Sequence, residues 1–275
     1  MKKHSTKLTA NRQTIILKLG GSVLTEKMSG KPQLKKAVVR QLAKELKQFV
    51  KYSPQTKIIL LHGAGSFGHP LVYRYKLLEQ PLTAPKLLGC VKTICSMRHM
   101  GNLLINYFQF ANLPVLPIQT SAVLTEKNNT MALSNLRQLW QMLNTGFIPM
   151  LGGDVGFTEK KQAVVISADK LAVMLAKAFP NSKIIFATDV DGVFEKFPPP
   201  NNAQPFSVLY SKKIKNILKK MNEQKNGYDT TGSMAGKLRA LLSLRKKEVI
   251  IFNGLKQGNL TKALTGQQVG TRLIF

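Results

Sequence analysis

The feature that most constrains this chain is a recurring join, in which an apolar, strand-like run stops at glycine and a helical stretch follows. Thr14–Leu19 runs into Gly20, Gly21 and Ser22; residues 57–61 run into His62, Gly63, Ala64, Gly65, Ser66, Phe67, Gly68 and His69; residues 147–151 run into Gly152, Gly153 and Asp154. Strands that alternate with helices in this way give a largely parallel sheet covered on both faces. The expected fold class is α/β, a three-layer αβα sandwich. A strand that ends in glycine and a helix start presents backbone N–H groups to an anion. Open α/β sheets bind ligands at the carboxyl ends of their strands. Three such turns on one sheet therefore point to one phosphate-rich site.

The remaining pattern fills out the layers. Residues 34–50 place Leu34, Val38, Leu42, Leu46 and Phe49 on one helical face, and a second helical region carries Met97, Met100, Leu103, Leu104 and Tyr107. Residues 114–118 read as a strand, residues 157–166 as a hairpin turning at Glu159 to Lys161, and Ala168–Ala178 as a helix. Residues 183–188 form a buried-type strand that delivers Asp189, Val190, Asp191 and Gly192. Residues 197–205 hold four of the thirteen prolines and must be a loop. A basic helix over 211–221, a polar turn at Asp229 to Ser233 and a helix over 234–245 follow. Strands at 249–252 and 271–275, with a helix over 258–264 between them, end the chain. Residues 1–13 read as a flexible basic tail ahead of one domain, 14–275, which divides near Pro180.

Composition narrows the classes further. A hydrophobic content of 44% is enough for a sizeable core. No apolar run reaches the ~18 residues of a membrane helix, and the N-terminus lacks the apolar stretch of a secretory signal. Cys90 and Cys95 read as reduced thiols of a cytoplasmic protein, with no second pair for a zinc site. The balance of 41 basic against 13 acidic residues, +28, would attract nucleic acid, anionic membrane or phosphorylated metabolites. The lysines are spread along the whole chain without aromatic interleaving, so a specific nucleic-acid partner is not expected, and no membrane partner either. A general basic bias explains the charge equally well. Neither GxxxxGK[ST] nor a strand-borne GxGxxG with a distal acid occurs, which disfavours P-loop and dinucleotide enzymes.

Lys18, Leu19, Gly20, Gly21 and Ser22, followed by Lys27, resemble the opening of the amino acid kinase family. The stretch from His62 to His69 resembles the second glycine loop of the isopentenyl phosphate kinases within it. The turn Gly152 to Asp154, the acid-bearing Ile166 to Asp169, the run Thr188 to Val193 and the segment Asp229 to Lys237 keep that family's order. So does the terminal pairing of Asn253 and Gly254 with Gly270 and Thr271. The likeness runs from Ile15 to the C-terminus.

The resemblance implies an amino acid kinase fold, ATP and Mg²⁺ as cofactors, and a homodimer acting on a small phosphorylated acceptor. It places the acceptor on residues 14–180 and the nucleotide on residues 181–275. Gly20, Gly21 and Ser22, with Lys18 and Lys27, are implied to hold the ATP phosphates, and Asp169 to orient the lysines. Asp189, Asp191 and Gly192 are implied to border the adenosine, while Gly232, Ser233 and Lys237 cover the nucleotide phosphates. Ser233 stands where family members usually carry a second glycine, so its side chain narrows that approach. Gly63, Ala64, Gly65 and Gly153 approach the acceptor, Gly65 bordering the nucleotide as well. Gly68 and His69 close on the acceptor phosphate, and Val72, Tyr73, Met97, Met100 and Leu104 are candidates for its apolar tail.

The chemistry agrees with that set. Phosphoryl transfer depends on positioning and on cancelling negative charge, and Lys18, Lys27 and Lys237 supply cations for it. An acceptor that already carries an anionic phosphate oxygen needs no strong general base, which leaves His69 as a donor to that phosphate. The competing readings are a fosfomycin-type phosphonate kinase, a carboxylate or nucleotide kinase of the same fold, and a catalytically silent basic nucleic-acid-binding or regulatory protein.

Overall fold

The computed structural model describes residues 13–26, 31–160, 162–196, 199–223 and 234–275. Thr14–Leu19 (β1) is buried along its whole length, as a central strand covered on both faces must be. A single helical turn, Gly21–Leu24 (α1), leads to Lys36–Tyr52 (α2), Lys57–His62 (β2), Gly65–Arg74 (α3) and the long Ala84–Phe110 (α4). Val115–Pro117 (β3) is followed by a hairpin of Leu124–Lys127 (β4) and Thr130–Leu133 (β5), then by Leu136–Thr145 (α5) and Ile148–Gly152 (β6). A second hairpin, Asp154–Phe157 (β7) and Ala163–Ile166 (β8), precedes Ala168–Ala178 (α6) and Ser182–Thr188 (β9). The rest comprises Val208–Tyr210 (β10), Ser211–Glu223 (α7), Met234–Leu241 (α8), Glu248–Asn253 (β11), Asn259–Thr265 (α9) and Thr271–Ile274 (β12).

Eight strands form one sheet in the order β10-β12-β11-β9-β1-β2-β6-β3. The six from β11 to β3 run parallel; β12 pairs antiparallel to β11, and β10 runs parallel to β12. Successive residues of β1 serve opposite cores, because side chains alternate along a strand. Ile15 and Leu17 join Leu42 and Leu46 of α2, Leu104 and Phe108 of α4 and Leu260 of α9. Ile16 joins Leu139 of α5, Leu171 of α6, Ile214 of α7 and Leu238 of α8. This is the three-layer sandwich expected from the sequence. A smaller cluster of Val72, Leu77, Cys90, Val155 and Ala163 ties α3, α4 and the β7–β8 hairpin together.

Three expectations need correction. Helix α3 begins at Gly65, so Ser66 to His69 lie on a helix and the second glycine loop is reduced to Gly63 and Ala64. Helix α8 stops at Leu241, short of 245. The span from 119 to 146, which the sequence pattern left blank, holds a 3-10 turn, the β4–β5 hairpin and α5. Most of the basic tail (residues 1–12), together with Lys27 and the turn from Asp229 to Ser233, lies outside the described residues.

Candidate active site

Four neighbouring parallel strands stop level with one another. Leu19 of β1 is in register with His62 of β2 and Ala187 of β9, and His62 is in register with Gly152 of β6. Their carboxyl-end turns line one cavity of about 520 Å³. The first two turns meet backbone to backbone: a Cβ on Gly21 would stand 2.2 Å from the amide nitrogen of Gly65. Gly65 itself has φ +50, where a side chain is strained, and a Cβ there would stand 2.2 Å from Thr25 Oγ1. Thr25 fastens the junction, donating to the Gly21 carbonyl at 2.8 Å and accepting from the Ser66 amide at 3.0 Å. Gly152 leaves room for the buried ring of His62, which a Cβ would approach to 2.3 Å. Burial pushes that imidazole down to about 4, so His62 is a neutral packing group.

Three charges converge at the cavity floor. Asp169, in the first turn of α6, faces Lys18 of β1 and Lys237 of α8. Lys237 Nζ donates to Oδ2 at 3.0 Å, while Lys18 Nζ lies 3.0 Å from Oδ1 but out of hydrogen-bonding alignment. All three side chains are buried, and both ammonium groups sit over the Phe186 ring, 5.7 and 5.2 Å from its centroid. Burial alone would raise the Asp169 carboxyl, but the two lysines outweigh it and hold the group at about 2. Burial pushes Lys237 down to about 8 despite the pull of Asp169, and Lys18 adds to the lowering.

Around that floor the cavity has two ends. At one, Ser22 Oγ donates to Asp189 Oδ1 at 2.8 Å, joining the turns after β1 and β9, with Gly20, Gly21, Thr188, Val190 and Met234 nearby in the lining. At the other, Gly63, Ala64, Gly65, Gly68, His69 and Gly153 line the wall. Burial lowers the His69 imidazole below its ordinary 6.5, helped by the Lys18 ammonium and opposed by Asp169. Val72, Met97, Val165 and Ile166 make this end apolar, with Thr93 beside them. Ser167, the N-cap of α6, accepts from the Lys170 amide at 3.2 Å and also lines the cavity.

Several expected residues stand elsewhere. Tyr73 is 44% exposed and outside the lining, since the residue after Val72 is turned ~100° around the helix. Met100 and Leu104 are wholly buried in the core beneath α4, beyond Met97, and do not reach the cavity. Asp191 and Gly192 are also outside its lining: Asp191 is held by Lys256 at 2.7 Å and Asn253 at 3.1 Å, and Gly192 packs against Thr271 and Pro205. Lys27, Gly232 and Ser233 lie outside the described residues. Asp154, Thr25 and Ser167 had not been singled out for a role. Asp154 accepts the Ser121 amide at 2.8 Å and that of Val155 at 2.9 Å, which fixes the turn after β6.

Comparison with known proteins agrees with this fold. The model of the amino acid kinase family matches residues 13–253. Isopentenyl phosphate kinase of Methanocaldococcus jannaschii is 29% identical over 94% of this chain and 98% of its own length. The enzyme of the same name from Methanothermobacter thermautotrophicus is also 29% identical, over 94% of this chain and 98% of its own. Among solved structures, an isopentenyl phosphate kinase superposes with a TM-score of 0.79 at 26% identity, covering 95% of this chain and 100% of that one.

Proposed function

The chain belongs to the amino acid kinase family, and we propose that it is a phosphotransferase that uses ATP to convert isopentenyl phosphate into isopentenyl diphosphate, releasing ADP. The observation that carries the reading is His69 beside the Lys18–Asp169–Lys237 floor, at the end of the cavity where the wall turns apolar. That end suits a phosphate with a short hydrocarbon tail. In the transfer, an acceptor phosphate oxygen bonds to the γ-phosphorus as the bond from that phosphorus to the bridging oxygen breaks, and no proton need leave the nucleophile. The obstacle is repulsion between two phosphates. Lys18 and Lys237, fixed by one carboxylate, place positive charge where the transferred group passes. Backbone amides at Gly20, Gly21 and Gly65 can hold the nucleotide phosphates, and His69 can donate to the acceptor phosphate. Lys27, Gly232, Ser233 and the Asp191–Gly192 turn complete the nucleotide side in this reading, with residues 14–180 serving the acceptor and 181–275 the nucleotide.

The described residues do not form a site for a metal held by the protein itself. Among the described residues no group of three or more His, Cys, Asp or Glu side chains could ligate an ion. Of the cavity's carboxylates, Asp169 is taken by two lysines, Asp154 by backbone amides and Asp189 by Ser22. Magnesium is accordingly placed on the nucleotide phosphates, as is common for this ion. ATP consumption measured with isopentenyl phosphate, fosfomycin, glutamate and RNA in turn tests the acceptor. Turnover with fosfomycin or glutamate in preference to isopentenyl phosphate would overturn the reading.

Tail length follows from the apolar end of the cavity. Met97 lines both this cavity and a second one of about 290 Å³ behind it, near the end of β3. Met97→Ala is expected to improve use of longer prenyl phosphates relative to isopentenyl phosphate by about tenfold or more, tenfold being the low end for one methylene in an apolar pocket. Tyr73→Ala, outside the lining, should leave the preference unchanged. Equal chain-length preference in the wild type and Met97→Ala would remove Met97 from the acceptor pocket.

We take the working form to be a cytoplasmic homodimer. The exposed Leu87, Leu88 and Val91 on the outer side of α4 support pairing, and no helix among the described residues is long and apolar enough to cross a membrane. Sedimentation should give twice the monomer mass; a monomer at micromolar concentration would rule pairing out.

A further inference from the structure

We propose that the cleft between α2 and α4 binds single-stranded nucleic acid without sequence preference. Along the chain the lysines have no aromatic neighbours in a regular pattern, but the fold brings such neighbours to them. Lys36, Arg40, Lys44 and Lys47 recur every three or four residues on α2 and so share one face, each about 4.5–6 Å further along the axis. Tyr107 and Phe110 of α4 lie against that row, and the six side chains line a cleft of about 660 Å³ on the outside of the molecule.

The aromatic groups are placed to stack. The Arg40 guanidinium lies 5.7 Å from the centroid of the Tyr107 ring. Phe110, the last residue of α4, is 87% exposed, so its ring is accessible from solvent at the mouth of the cleft. Lys47 is held at the far end by donating to the Asn112 carbonyl at 2.8 Å. Among the described residues no acid lines the cleft. The one acid of α2, Glu45, is buried on another face, where it accepts from the Gly258 and Thr261 amides at 3.0 and 2.9 Å. A positive track with aromatic platforms beside it is the arrangement that holds a flexible polyanion by backbone charge and base stacking. The net charge of +28 adds long-range attraction for it. A bilayer calls for a broad apolar face, and this surface is a concave cleft with one protruding ring. A second copy would set this cationic row against its like.

The test is fluorescence anisotropy of a labelled oligothymidylate with the full chain, over about 50–200 mM salt. Binding in the range of about 1–100 μM, weakening with salt, is expected. The double variant Arg40→Glu/Lys44→Glu should weaken it at least tenfold and reduce the slope of log K against log salt by about 1.4, for two phosphate contacts. Phe110→Ala should cost about tenfold, the scale of one stacked base. Lys212→Glu/Lys219→Glu, on α7 away from the cleft, changes the net charge equally and should keep most of the affinity. Kinase turnover should be unchanged in every variant, since none of these side chains lines the cavity at the strand ends. The proposal is overturned if no binding is seen, or if the α7 pair weakens it as much as the α2 pair. It is also overturned if polyglutamate or phosphatidylserine vesicles compete equally well, or if the α2 pair alters the sedimenting mass.

Discussion

Asp169→Asn should lower kcat/KM by about a thousandfold at pH 7, the upper range for removing one electrostatic element of a transfer site. The carboxylate does two jobs. It fixes both ammonium groups at 3.0 Å, and it raises Lys237 against a desolvation that, even with this help, leaves the group at about 8. With the neutral amide in its place, the Lys237 pKa falls further and the side chain is largely uncharged at neutral pH. In the wild type, kcat/KM should hold from neutral pH and fall as pH rises through about 8, where Lys237 loses its proton. The observed value belongs to the coupled lysines together. In the variant that limb moves to lower pH, so the gap to wild type should narrow as pH is lowered from 8 to about 6. Stability should follow the same charges, with a loss of up to about 3–5 kcal/mol from breaking a buried pair, least at high pH where Lys237 has shed its proton. Asp169 itself, held at about 2 against an ordinary 3.8, contributes stability that is present above 3.8 and lost as pH falls toward 2. A pH-independent loss of activity would mean that Asp169 serves only to shape α6. Activity near wild type would remove it from the site.

That triad was legible in part. Lys18, Asp169 and Lys237 are picked out by the resemblance of their surrounding motifs to the amino acid kinase family. Their burial could not be read, since nothing in a sequence shows that Phe186 lies beneath two ammonium groups. Apart from β10, the strands of the main sheet came out close to their observed bounds, β1 to the residue, because runs such as Thr14–Leu19 are mostly apolar and stop at glycine. Helix α4 was legible as a helix, but its apolar residues occur on more than one side. Leu87, Leu88 and Val91 are exposed, while Cys90, Met97 and Met100 are buried. Periodicity therefore could not say that Met97 meets the cavity while Met100 fills the core. The β4–β5 hairpin was missed because its strands are short, have no fully buried residue, and do not alternate apolar with polar residues in sequence. The Ser22–Asp189 hydrogen bond spans 167 residues and exists only through the register of β1 with β9.

His69→Ala is expected to cost roughly 2–4 kcal/mol in kcat/KM for isopentenyl phosphate, as for a charge-assisted bond lost at a reacting centre. The side chain lies on the second turn of α3, one wall of the acceptor end, with Gly68 before it and Val72 one turn on. Burial and the Lys18 ammonium hold its pKa below 6.5 in the free protein, so at pH 7 the ring is mostly neutral. An arriving phosphate stabilises the imidazolium and raises that pKa, so acceptor binding takes up a proton. Acceptor affinity should then strengthen as pH falls from the bound value toward the free one, beyond what the phosphate's own titration produces. Calorimetry in buffers of different ionisation enthalpy reads that uptake directly, and it should vanish in His69→Gln, whose amide still donates a neutral hydrogen bond and keeps part of the activity. Binding of a non-hydrolysable ATP analogue should survive in both variants, because Ser22, Asp189 and Met234 line the other end of the cavity. Normal phosphorylation of isopentenyl phosphate by His69→Ala would leave the acceptor assignment without its main support. Loss of ATP-analogue affinity instead would mean that the His69 side chain borders the nucleotide, and the two ends of the site would have to be exchanged.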